Sequence, residues 1–175
     1  LIDGDDGVVP LVAVSKDGLA AWRDQAPARE RDWVAAIGFA AEPGKVALVP
    51  GKDGGLGRVL VGVGGDAAMW ALAGLPETLP EGNYRLAALP EGGDPSRLAL
   101  GWALGTYVFT RYRGKKPGGA RLVWPEGADR GLVGRLAEAV FLARDLITTP
   151  ASDLGPEELA EAAVRVAETA GARHR

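Results

Sequence analysis

The chain has no cysteine and a single histidine, His174, second from its end. The first absence excludes disulfides, zinc–thiolate sites and thiol nucleophiles, and it suits a cytosolic protein. The second leaves no second imidazole for a metal centre or a catalytic triad, and His174 sits where a chain end frays. No stretch approaches the ~20 apolar residues of a membrane span. Aromatics are only 6% of the 175 residues. The chain opens Leu1-Ile2-Asp3-Gly4 with neither methionine nor a basic flank, so it does not read as a signal peptide. The missing methionine leads us to expect that a few residues precede it.

What is present is ordinary for a soluble globular domain: 47% hydrophobic and 25% charged residues, a net charge of −3 and an isoelectric point near 5.3. That acidic balance argues against nucleic-acid binding driven by phosphate neutralisation. The length fits one domain plus an appendage.

Hydrophobic patterning predicts strands at Val8–Val14, Lys45–Val49, Arg58–Val63, Tyr84–Leu89 and Arg121–Trp124. Only a Gly/Asp-rich turn separates the second from the third, so these two suit a hairpin. The third is apolar without alternation, as expected of a strand covered on both faces. Short helices are expected over Leu19–Asp24, Glu30–Ile37 and Ala67–Ala73, with Trp22 and Trp33 as the large side chains of the first two, and loop over Pro76–Gly82. Asp94-Pro95 opens a helix as N-cap and first-turn proline. Its stripe reads Leu98, Trp102, Gly105, Phe109 and Tyr112, with a stop at Gly114. Asp129 caps the next helix, whose Leu132, Leu136, Val140 and Ile147 share a face, and Pro150 ends it. Pro156–Ala170 forms a last helix with Glu157 and Glu158 in its first turn. Strands alternating with helices indicate an α/β domain of three layers. The expected division is 1–149 for that domain and 150–175 for a linker and the start of a helix with nothing after it to cover its apolar face.

Few groups invite chemistry. Asp3, Asp5 and Asp6 have spacing faintly like a calcium loop, but Val14 stands where its bidentate Glu belongs; a solvated terminus is the simpler reading. Gly62, Gly64 and Gly65 follow an apolar strand, and their backbone N–H groups form a weak candidate anion-binding turn. Ala67 breaks the dinucleotide glycine pattern, and no acidic residue stands at 82–86 to hold a ribose. Tight turning accounts for these glycines equally well. Arg111, Arg113, Lys115 and Lys116, with Tyr112 among them, form the one basic cluster. Contact with DNA is the functional reading, and neutralisation of a helix C-terminus the structural one.

Two segments carry a family resemblance. Leu100-Gly-Trp-Ala-Leu-Gly105-Thr-Tyr107-Val-Phe109 is similar to the Gly-x-x-x-Gly-x-Tyr-x-Phe stretch of the leucyl (cytosol) aminopeptidases. Ala143-Arg144-Asp145-Leu146…Thr149-Pro150, followed by Leu154-Gly-Pro156-Glu-Glu-Leu-Ala160, resembles that family's Arg-Asp-Leu-x-Asn-Thr-Pro…Pro-x-x-Leu-Ala signature. Thr148 departs from it, replacing the usual Asn. The resemblance implies a macro-type α/β front domain of a cytoplasmic, hexameric exopeptidase. Its two divalent metals, manganese or zinc, would activate a water for attack on the scissile carbonyl of a peptide substrate. The family's metal-binding signature lies nowhere between Leu1 and Arg175, so no catalytic or metal residue carries over and this chain alone is expected to be inactive. Arg144, Asp145 and Pro150 are expected at the contact with a C-terminal catalytic domain. The alternative is a free-standing macro-like module that binds a phosphorylated nucleotide such as ADP-ribose at the Gly62–Gly65 turn.

Overall fold

A computed structural model describes all residues except 5, 6, 65–67, 91, 113, 115–117, 174 and 175, with the side chain of Ala68 also left out. The element order is β1 (Val8–Ser15), α1 (Gly18–Gln25), α2 (Ala28–Ala36), β2 (Val46–Pro50), β3 (Leu56–Val63), α3 (Ala68–Ala73), α4 (Leu75–Thr78), β4 (Gly82–Ala88), α5 (Pro95–Gly105), β5 (Ala120–Leu122), α6 (Arg130–Thr148) and α7 (Pro156–Thr169). The sheet runs β2-β3-β1-β4-β5. β3, β1, β4 and β5 are mutually parallel, and β2 pairs antiparallel with β3 across the expected hairpin. Ile2 forms a bridge beside Val123, just beyond β5.

The architecture is the expected α/β one, and the strand residues show how the layers form. On β3, Val59, Val61 and Val63 face one core while Leu60 faces another. The two-residue period of a strand sends neighbours to opposite faces, so a continuous apolar run serves two layers. Leu11 of β1 joins the first core, which is completed by Leu72, Leu75, Leu98 and Trp102 from α3, α4 and α5. Val14 joins the second, with Leu19 and Val34 from α1 and α2. α6 packs outside α5.

α5 is the helix on which the first layer is built. Asp94 caps it, its carboxylate accepting from the Arg97 amide at 2.7 Å. Leu98 and Trp102 are buried on its sheet-facing side. Gly101 and Gly105 lie one turn apart, where α3 crosses. A Cβ at Gly101 would stand 2.0 Å from the Met69 carbonyl oxygen, and one at Gly105 would stand 1.9 Å from that of Ala73. Only hydrogen fits there.

Two sequence expectations need correction, and a third acquires its neighbour. Residues 75–78 form the short helix α4 and not a loop. The helix opened by Asp94 ends at Gly105, so Phe109 and Tyr112 do not continue its stripe. The run Thr106-Tyr-Val-Phe-Thr110 is β-branched and aromatic, a composition poorly suited to extending a helix, and the Thr106 hydroxyl donates to the Ala103 carbonyl at the break. On α6 the packed side carries Val133 and Ala137, while Leu132, Leu136 and Ile147 are exposed. The helix bears two adjacent apolar stripes, and the domain covers only one.

Gly101→Val is expected to destabilise the domain by about 2 kcal/mol or more through forced separation of α3 from α5. Gly134→Ala, in the middle of α6 where an added Cβ meets nothing within 4 Å, is expected to stabilise it by roughly 0.5–1 kcal/mol. Urea unfolding of the two variants checks both signs.

Candidate functional site

The chain beyond Gly105 turns away from the helix axis and lies against the C-terminal half of α6. There a cavity of about 480 Å³ opens, lined by Tyr107, Phe109, Arg111, Phe141, Asp145 and Thr149 among others. Tyr107 packs on Phe141 with ring centroids 5.4 Å apart. Its hydroxyl donates to Asp145 at 2.8 Å, and the Thr148 hydroxyl hydrogen-bonds to the same phenol. Arg144 lies over the Tyr107 ring, 5.2 Å from its centroid, and donates to the Leu104 carbonyl at 3.0 Å. That carbonyl belongs to the last turn of α5, where a cation is favoured by the helix dipole. The Arg144-Asp145 pair thus clasps the end of α5 to α6. Pro150 is exposed and follows the end of α6.

A second clasp lies beyond it. Tyr112 donates to Asp153 in the α6–α7 connection, and Arg111 stands 4.0 Å from the same carboxylate. Phe109 meets Tyr112 edge-on at 5.7 Å. Glu158 then accepts from the Gly155 amide at 2.8 Å, closing the first turn of α7. The segment 107–112 therefore touches both α6 and the elbow from which α7 departs. Sequence reasoning missed the contacts of Tyr107 with Asp145 and of Tyr112 with Asp153 because it kept 106–112 in a helix. The β-branched run was the signal available.

The charges respond accordingly. Loss of solvent and the Asp145 carboxylate raise the Tyr107 phenol above its usual value, desolvation being the larger cause. The hydrogen bond to Asp153 raises Tyr112, and the same bond holds Asp153 below the usual carboxylate range. A raised phenol contributes stability that is complete below the ordinary tyrosine value and lost as pH rises through the folded one. A lowered carboxyl contributes above the ordinary aspartate value, and that contribution disappears as pH falls through the folded one. The Tyr112–Asp153 hydrogen bond therefore contributes stability across neutral pH, and that contribution falls away at both extremes.

The other sequence candidates fall elsewhere. Gly62 donates to the Lys45 carbonyl at 2.8 Å and accepts from Gly44 at 2.9 Å. A Cβ there would stand 2.0 Å from the Glu42 carbonyl oxygen, and one at Gly64 would meet Pro43 at 3.2 Å. Close packing of the 41–45 segment accounts for these two glycines. Gly65 and Asp66 lie outside the described residues. Gly64 does line a wider cavity of about 640 Å³ at the carboxyl ends of β1 and β3, with Ser15, Trp22, Asp94 and Arg97. Of the basic cluster, Arg111 is described, while Arg113, Lys115 and Lys116 are not; His174, Asp5 and Asp6 also lie outside. Asp3 pairs with Arg130 at 2.6 Å. Among the described residues no three His, Asp or Glu side chains converge as metal ligands, so these residues do not fit a dinuclear metal centre. No helix among them is long and apolar enough to cross a membrane.

Comparison with known proteins agrees with the geometry. The family model described as "M17 aminopeptidase, N-terminal domain" matches residues 9–125. A probable cytosol aminopeptidase of Leifsonia xyli subsp. xyli is 35% identical over 174 residues, covering 90% of this chain and 33% of that protein. The crystal structure of a cytosol aminopeptidase from Coxiella burnetii superposes with a TM-score of 0.86 at 35% identity, over 97% of this chain and 37% of that one. The bottromycin maturation enzyme BotP, solved in complex with Mn, gives a TM-score of 0.69 at 27% identity, over 94% of this chain and 37% of its own. The chain spans about a third of the length of these relatives.

Asp153→Ala is expected to move the alkaline titration of Tyr112 down toward that of an ordinary tyrosine. Tyrosinate absorbance, read as the difference from Tyr112→Phe, measures it; an unchanged titration would refute the elbow clasp.

Proposed function

Since the chain belongs to the M17 aminopeptidase family and corresponds to its N-terminal domain, we propose that it is the front part of a longer metallo-aminopeptidase. That parent releases N-terminal residues of the leucine type from peptides in the cytoplasm. In this reading residues 1–149 are a non-catalytic domain and 150–175 lead into the catalytic domain. The two divalent metals, manganese or zinc, would be held entirely by that later part, where they would supply the activation of water that peptide hydrolysis needs. The domain positions and supports the catalytic half, shapes access to it and contributes to a hexamer. Arg144, Asp145 and Pro150 stand at the junction, the first two fixing its inner side through Leu104 and Tyr107.

The observation that carries the reading is one of extent. A fold with 35% identity over nearly all of this chain accounts for 37% of its solved relative. With manganese, the full-length parent is expected to hydrolyse a chromogenic leucyl anilide, and the 1–175 chain is not. Turnover by 1–175 would overturn the division of labour, and an inert parent would overturn the peptidase assignment.

The larger cavity favours a second reading. It lies at the carboxyl ends of parallel strands, where helices depart to opposite faces of the sheet, the usual ligand position in open α/β folds. Its volume is that of a small-molecule pocket. This reading expects ADP-ribose to bind tighter than about 1 mM by calorimetry; no heat at that level removes it.

A further inference from the structure

We propose that the outward stripe of α6, together with the apolar face of α7, is the seat on which the polypeptide following Arg175 in the parent protein docks through an amphipathic helix. The inference rests on the aminopeptidase reading above for the existence of that polypeptide, and on the following geometry for its place. Leu132, Leu136, Ala139, Ala143 and Ile147 recur at spacings of four, three, four and four, one continuous line along all of α6. All five are exposed, Leu132 and Leu136 at 41% and Ile147 at 84% of their full areas. The line lies about a quarter-turn round the helix from Val133 and Ala137, which α5 covers. A solvated helix face is normally polar. Here Arg135 borders the line, and Glu138 and Asp145 lie further round the helix, so no charged residue interrupts it.

α7 repeats the pattern. Leu159, Ala163, Val166 and Ala170 form its stripe and are all exposed, Leu159 and Val166 to about half of their areas, while Ala162 beside them is buried. Consecutive helices joined by an elbow that Tyr112 and Asp153 pin thus each carry an open apolar stripe. Single exposed aliphatic residues need no explanation, but a line of them along the whole length of α6 marks a partner.

Three observations select the occupant. The relatives extend about three times as far as this chain, and whatever follows α7 is tethered beside the surface, at high effective concentration. The match to the N-terminal family model stops at residue 125, so α6 and α7 lie beyond it in the sequence. Finally, the small Ala139 and Ala143 sit between Leu136 and Ile147, a shallow trough that accepts a ridge of large aliphatic side chains from a crossing helix.

The chain's lack of cysteine makes the test direct. Leu136→Cys and Ile147→Cys are introduced singly into 1–175 and into the full-length parent, with Lys52→Cys in the β2–β3 turn as the exposed control. Maleimide labelling at each site is followed by peptide mass spectrometry. Both positions are expected to label readily in 1–175 and roughly tenfold or more slowly in the parent, as at the packed core of an interface, with Lys52→Cys unchanged. Equal rates in the two proteins overturn the proposal. So does slow labelling in 1–175 that tracks its concentration alongside a dimer in sedimentation, since the occupant is then a second copy. Leucyl anilide turnover by the same parent preparations keeps the two readings separate: an active parent with freely labelled α6 sinks the docking surface alone, and an inactive one sinks the aminopeptidase assignment.

Discussion

The arrangement depends on how thin α5 is on the side where α3 crosses it. With only hydrogen at Gly101 and Gly105, the backbones of the two helices touch through the Met69 and Ala73 carbonyls. Both helices can then press the same cluster of Leu72, Leu98 and Trp102 onto the sheet. Packing at this density tolerates little added volume. Once α5 is held this way its outer side is a fixed shelf, and α6 lies on it. The position of α6 in turn decides where the chain leaves the domain.

The end of α5 ties that packing to the exit. The Arg144 guanidinium satisfies a last-turn carbonyl that would otherwise lack a partner, and Asp145 holds the phenol of the residue two past Gly105. The Arg-Asp dipeptide, the most family-like pair in the sequence, therefore has a structural duty inside this chain: it stops α5 from sliding on α6. The elbow clasp at Asp153 extends the same control by one more connection. A front domain that must present its exit at a set angle needs such restraints, because a bare loop of seven residues would leave α7 free to swing.

Much of this was legible in the sequence where the signal was local. Asp94 and Asp129 announced their helices by cap chemistry, and Pro150 and Gly155-Pro156 marked the elbow. The apolar run through Val63 declared a strand buried on both sides. What failed were inferences needing knowledge of the partner. A three-and-four spacing carried the Leu98–Trp102 stripe on to Tyr112, because periodicity cannot tell where propensity stops a helix. On α6 the spacing of Leu132, Leu136 and Ile147 was real, but it is not the side that α5 covers: a stripe shows that a face is to be covered without saying by what. The tyrosine–aspartate contacts join residues 38 and 41 positions apart, a distance that no local pattern spans. The glycines of the 62–64 turn were ambiguous for the same reason, and the nearby 41–45 backbone decides them.

The account stands or falls on the outer face of α6. Its most direct measurement is an experimental structure of the whole parent protein, read at Leu132, Leu136 and Ile147. The account expects these side chains to be enclosed beneath a helix contributed by residues after Arg175 of the same polypeptide. Finding them bathed in solvent, with the later domain joined to this one by the covalent chain alone, would contradict it.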